Sequence, residues 1–199
     1  MAKGISEQRL LAAFYLSGVA ALIYQVAWQR LLFGSFGVDI DSVTIVVSTF
    51  MLGLGVGSLV GGQVADLFGK NVIIIFACCE IGIGVFGISS PYLIALVGDH
   101  FVNYNLLVIG LVNFALILIP TTFMGATLPM LVSHLFRANS NVGISIGSLY
   151  FSNARGAAFG AFATGLLPFM LSIDQMIYFA AAANFMVAIF IFFGQGQQS

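Results

Sequence analysis

Charged side chains interrupt this chain only at intervals, and between the interruptions lie six long apolar stretches, at about 10–34, 43–65, 72–97, 106–136, 143–171 and 175–193. Each is near or above the ~20 residues that an α-helix needs to cross a bilayer. Of the 199 residues, 7% are charged and 60% hydrophobic, with a mean hydropathy of +1.09. An ordinary soluble domain carries about 25% charged residues. The expected solvent is therefore lipid, and the expected fold is an all-α membrane protein with six transmembrane helices forming one domain over 1–199.

The placement of charge predicts the orientation. With the N-terminus in the cytoplasm, Lys3, Arg9, Lys70 and Arg137 fall inside, while Asp39, Asp41, Asp99 and Asp174 fall outside. Basic residues favour the cytoplasmic face, so both termini are expected there. A cleaved signal peptide is disfavoured because the first apolar run is too long and lacks a small-residue cleavage site. The net charge of -1 argues against nucleic acid. Cys78 and Cys79 are adjacent and read as small apolar residues, so neither a metal nor a cofactor is expected.

The fourth span is long enough to reach about 45 Å as a straight helix, against ~30 Å of hydrocarbon. Pro120 and Pro129 each remove a backbone donor, so the segment between them, with Gly125 at its centre, is expected to be kinked or partly unwound. The threonine hydroxyls of Thr121, Thr122 and Thr127, water or a ligand would meet the freed carbonyls. Packing is one reading of this kink and a ligand-facing broken helix is the other. Glycines four apart at Gly53, Gly57 and Gly61, at Gly143 and Gly147, and at Gly156 and Gly160 predict close helix contacts. Gly82, Gly84 and Gly87 match a dinucleotide-loop pattern, but inside a membrane span the match carries nothing.

Polar residues within the spans are the candidate site. Gln25, Trp28 and Gln29 are expected to share a helix face at i, i+3 and i+4, with Tyr24 beside them in a row ending at Arg30; an aromatic beside amides suits an amine, and packing with interface anchoring is the alternative. Glu80 and Arg155 are the most deeply placed charges, with Asn153 two residues from Arg155. Each should face protein, since inserting either costs about 2.5–3.5 kcal/mol on translocon scales. They are expected either to pair or to leave Glu80 as the contact for a cationic substrate or a proton.

Gly62 through Lys70, with Asp66 and Gly69 at the turn, resembles the signature loop of major facilitator transporters, which latches helices during alternating access. Taken together, the following segments resemble the membrane domain of spermidine-synthase-like integral membrane proteins. They are Ser17-Gly18, Ala21 through Val26 with Trp28 and Arg30, Met51 through Asp66, Glu80 through Gly84, Pro120 through Pro129, and Gly147 through Tyr150 with Asn153. They spread over roughly residues 14–170.

The resemblance implies a major-facilitator-like module that works beside an aminopropyltransferase domain. The chain ends after its sixth span, so that partner would be a separate cytoplasmic protein and this chain no enzyme. Arg155 also stands where the family has an apolar residue. Binding or conduction of a polyamine-like cation is one expectation, with the inner membrane of a bacterium as its location. A half-sized carrier acting as a homodimer is a second. It would contain a 3+3 repeat, echoed by Gly57-Ser58-Leu59 and Gly147-Ser148-Leu149. A structural subunit of a larger membrane complex is the third.

Overall fold

The computed structural model describes residues 6–36, 39–101, 103–139 and 141–196. They form six helices: α1 (Glu7–Phe36), α2 (Asp39–Phe68), α3 (Val72–His100), α4 (Leu106–Asn139), α5 (Val142–Leu166) and α6 (Ile173–Gly196). Helices are what a chain this apolar must form in lipid, because each satisfies its backbone polar groups internally. All but α5 are long and apolar enough to cross a membrane, the mark of a multi-pass integral membrane protein. Lys3 lies outside the described residues.

The sequence explains where helices start and stop. Asn105 Oδ1 accepts from the Val108 amide at 3.0 Å, and Asn141 Oδ1 from that of Ile144 at 3.1 Å, capping α4 and α5. At α6 the caps are reciprocal: the Gln175 amide donates to Ser172 Oγ at 3.3 Å, and the Ser172 amide donates to Gln175 Oε1 at 3.0 Å. The charge spacing predicts a fifth span running to residue 171. It ends at Leu166, where Pro168 sets the single 3-10 turn Leu167–Phe169, because a proline ring clashes with a preceding helical turn.

The fourth span is helical where partial unwinding is one of the two expectations. Helix α4 runs unbroken through Pro120 and Pro129. The threonines bond their own preceding turns: Thr121 Oγ1 to Ile117 O at 3.0 Å, Thr122 Oγ1 to Leu118 O at 2.7 Å, and Thr127 Oγ1 to Met124 O at 2.6 Å. The carbonyl that Pro129 leaves without its helical donor belongs to Gly125, and it accepts instead from Ser58 Oγ of α2 at 3.3 Å. Pro91 does the same within α3: the freed Gly87 carbonyl accepts from Ser90 Oγ at 2.7 Å. A neighbouring serine thus repairs the ladder at both places.

Glycine contacts set the packing. A Cβ at Gly53, Gly57 or Gly61 of α2 would land on Thr121, on the Thr122 carbonyl or on Ala126 of α4. A Cβ at Gly156 or Gly160 of α5 would land on the Tyr15 or Val19 carbonyl of α1. In both pairs the contacts advance in the same direction, so α2 lies parallel to α4 and α1 parallel to α5. Gly143 and Gly147 make no such contact: Gly143 meets only the Asn141 side chain at 3.7 Å, and Gly147 faces open space. Helix α3 packs against α1, α4 and α6.

Two apolar cores fill the bundle, one toward each end. One gathers Leu10, Phe14, Phe76, Leu131, Leu135 and Val187. The other gathers Tyr24, Trp28, Phe50, Ile83, Ile117 and Met176.

Candidate functional site

Between the two cores lies a polar layer centred on Glu80, which is fully buried on α3. Ser17 Oγ of α1 donates to Glu80 Oε1 at 2.7 Å, and Asn184 Nδ2 of α6 donates to Oε2 at 2.6 Å. Asn184 Oδ1 is buried and has no hydrogen-bond partner among the described residues. Inserting a carboxylate between two apolar cores is costly unless its oxygens are met, and here each oxygen has one donor.

Ser17 also lines a cavity of 250 Å³ bounded by α1, α2, α4 and α5. Its polar wall is made by Ser17, Gln25, Ser58, Thr127, Tyr150 and Asn153, and its apolar wall includes Phe14, Phe50, Leu54 and Met124. Asn153 is held there by its Nδ2, which donates to the Phe14 carbonyl at 3.1 Å. The lining is neutral: amides and hydroxyls that bond a polar solute without carrying a full charge. Glu80 stands one side chain behind this wall.

The residues singled out in the sequence divide between cavity and packing. Gln25 and Asn153 are at the cavity. Tyr24 and Trp28 are completely buried in a core instead, with rings stacked at 5.0 Å between centroids and 18° between planes. Trp28 Nε1 donates to Ser90 Oγ at 2.8 Å, and Phe50 and Phe86 close over its ring. The Tyr24 hydroxyl lies against Gly87, where any side chain would collide with it. These aromatics weld α1 to α3, because their face points away from the cavity.

Of the two arrangements expected for Glu80, the pairing with Arg155 is absent. Arg155 is exposed on the flank of α5 opposite Asn153, its guanidinium over the rings of Tyr15 at 5.8 Å and Phe151 at 5.3 Å. Two residues along a helix turn through roughly 200°, so Asn153 and Arg155 cannot share a face.

At the turn between α2 and α3, Asp66 is exposed and Gly69 has φ +33°, a backbone that favours glycine. Arg137 at the end of α4 lies over Gly69, its Nη1 3.1 Å from where a Cβ would stand. The Lys70 side chain lies outside the described residues. In the segment expected to be kinked or partly unwound, Pro120 is buried and Pro129 half-buried, and Gly125 packs on the Leu54 backbone and also lines the cavity.

Ser17, Ser58, Thr127, Tyr150 and Asn184 were not among the sequence candidates. Asn184 had a signal, as a lone amide amid the apolar residues of α6. No protein family, curated protein or solved structure matches the chain.

Proposed function

We propose that all six helices cross the bilayer with both termini in the cytoplasm, as two inverted three-helix repeats. The chain is then half of a major-facilitator-like carrier, completed by a second copy. Its parallel course beside α1 supports α5 as a sixth span despite its lower hydropathy. Exchanging α1 with α4, α2 with α5 and α3 with α6 maps the close contacts onto one another. Gly57 over Thr122 corresponds to Gly156 over Tyr15, Gly61 over Ala126 to Gly160 over Val19, and Gly125 over Leu54 to Gly18 over Asn153. In this register Gly57 corresponds to Gly156, so the echo between Gly57-Ser58-Leu59 and Gly147-Ser148-Leu149 is out of step. The same exchange carries the buried Met176, Ile177, Ala180, Ala181, Val187 and Ala188 of α6 onto buried residues of α3, and Asn184 onto Glu80.

The observation that carries the carrier reading is the cavity between α1, α2, α4 and α5. Substrate sites of repeat-built carriers form at the interface of their repeats. At 250 Å³ the cavity falls just below the ~300–1,000 Å³ of typical small-molecule pockets. Its neutral amides and hydroxyls suit a small, polar, uncharged or zwitterionic solute. Solute counterflow in proteoliposomes, with crosslinking of paired copies through Leu54→Cys or Tyr150→Cys, tests this. A strict monomer without flux sinks it.

A second reading rests on the closeness of Glu80 to the cavity wall. Rotation of Ser17 would present a carboxylate to a polyamine-like cation, which a cytoplasmic aminopropyltransferase would supply or use. That is the role the resemblance to spermidine-synthase-like membrane proteins implies. Spermidine or putrescine binding unchanged by Glu80→Gln removes Glu80 from this role.

A further inference from the structure

We infer that Glu80 is a proton-binding site, loaded from the cavity through the Ser17 hydroxyl and paired in its protonated form with the Asn184 amide. The inference deepens the carrier reading and rests on it for its purpose, though not for its test. Three observations carry it. Ser17 lines the cavity and donates to Glu80 Oε1 at 2.7 Å, so a single hydroxyl connects the carboxyl to the cavity. Glu80 is fully buried, and Ser17 and Asn184 are its only hydrogen-bonding partners among the described residues. The Asn184 Oδ1 acceptor is buried and unpartnered.

Counting donors and acceptors shows what the cluster lacks. An ionised Glu80 accepts from Ser17 and Asn184, which leaves Asn184 Oδ1 as an orphan acceptor. A protonated carboxyl brings one further O–H, which suits that orphan. The carboxyl and amide then each donate and accept, and no buried polar atom of the pair is unmet. Oxygen-ligating metal ions hold their ligands at about 2.0–2.6 Å from the ion, so seating one here would spread atoms now 2.6 and 2.7 Å apart. A hydrogen needs no such room.

The surroundings are specified from each packed helix. Helix α1 brings the Tyr24 phenol within electrostatic reach, and α3 itself brings the Cys79 thiol. Helix α6 presents the neutral Asn184. From α4 the titratable His134 and Arg137 lie in its last turns, and Arg155 of α5 lies over Tyr15 and Phe151. No cation is hydrogen-bonded to Glu80 among the described residues. In the transfer step a hydronium ion in the cavity gives a proton to Ser17 Oγ and is left as neutral water, as the Ser17 hydroxyl proton passes to the Glu80 Oε1 carboxylate and makes it a neutral carboxyl; reversal returns it. One O–H bond forms for each that breaks.

Glutamate occurs only at positions 7 and 80, which makes the test site-specific. The Glu7→Gln protein, carrying isotope-labelled glutamate and reconstituted in lipid vesicles, is examined by infrared difference spectroscopy between acidic and alkaline pH. The expected result is a label-shifted carbonyl band of a protonated carboxyl that grows on acidification and is lost entirely in Glu80→Gln. Its frequency should move in Asn184→Leu, and after a pH jump it should rise several-fold more slowly in Ser17→Ala. No pH-dependent band from Glu7→Gln overturns the site, even if Glu80→Gln does not fold. An unmoved band in Asn184→Leu overturns the amide's part, and an unchanged rate in Ser17→Ala overturns the route. Solute exchange without the band removes the proton site and leaves the carrier; the band without solute exchange does the reverse.

Discussion

Glu80 and Asn184 meet at 2.6 Å where α3 and α6 pack, with an apolar core on either side. Side-chain chemistry at this contact should set stability in a definite order. Glu80→Gln keeps an acceptor for one donor and offers its own amide hydrogens to the orphan Asn184 Oδ1, so it should stay close to wild type. Glu80→Ala leaves two buried donors unmet at about 1–3 kcal/mol each. At about 2–4 °C per kcal/mol for a chain of this size, its melting temperature in detergent should fall by roughly 4–24 °C. Equal melting of the two variants would refute the account.

The glycine contacts predict a second ordering. Gly57→Ala and Gly156→Ala place a methyl on the backbone of the partner helix, which has little freedom to retreat. Each should cost about 1–3 kcal/mol as overpacking. Gly55→Ala and Gly147→Ala meet open space, so helix propensity alone should leave them neutral or about 0.5–1 kcal/mol more stable. Thermal unfolding of the four variants checks the pattern.

Trp28 is the only tryptophan, fully buried and hydrogen-bonded to Ser90. Its fluorescence should be insensitive to water-soluble quenchers. Ser90→Ala removes the acceptor of the Trp28 indole and the donor to the Gly87 carbonyl, and should cost about 1–3 kcal/mol. Emission that aqueous iodide quenches would contradict the buried placement.

Asn153 and Arg155 separate the cavity from the outer flank of α5. Asn153→Leu should reduce solute binding at least tenfold, because it removes a cavity amide and its bond to the Phe14 carbonyl. Arg155→Leu loses only its contacts with the Tyr15 and Phe151 rings, away from Asn153 and the cavity, and should bind nearly as wild type. Binding assays on purified protein decide; the opposite ranking would move the site to the flank.

Spacing of charge made the helices legible, since a buried backbone in lipid has few alternatives to a helix. The ends of α3 and α4 lie close to their expected bounds, and α5 misled because proline governs its last turn. The burial of Glu80 was legible too, since a charge amid apolar residues must find partners inside the protein. Azimuth was not. Where core and lipid faces are both apolar, periodicity cannot say that Gln25 faces a cavity while Tyr24, its neighbour, faces α3. That ambiguity made Glu80 and Arg155, opposite charges deep in their helices, look like partners. The true partners of Glu80 lie 63 and 104 residues away in sequence and carry no charge, so nothing local announces them.

Tight backbone contact joins α1 to α5 and α2 to α4, and the cavity lies along the seam between these two couples. Within each couple glycines bring the two backbones into direct contact, whereas α1 meets α2, and α4 meets α5, over a smaller area. Deformation of this bundle should therefore concentrate there, with the couples tilting as stiff beams on either side. Because each beam draws one helix from each half of the chain, rocking either one strains both halves of the polypeptide together.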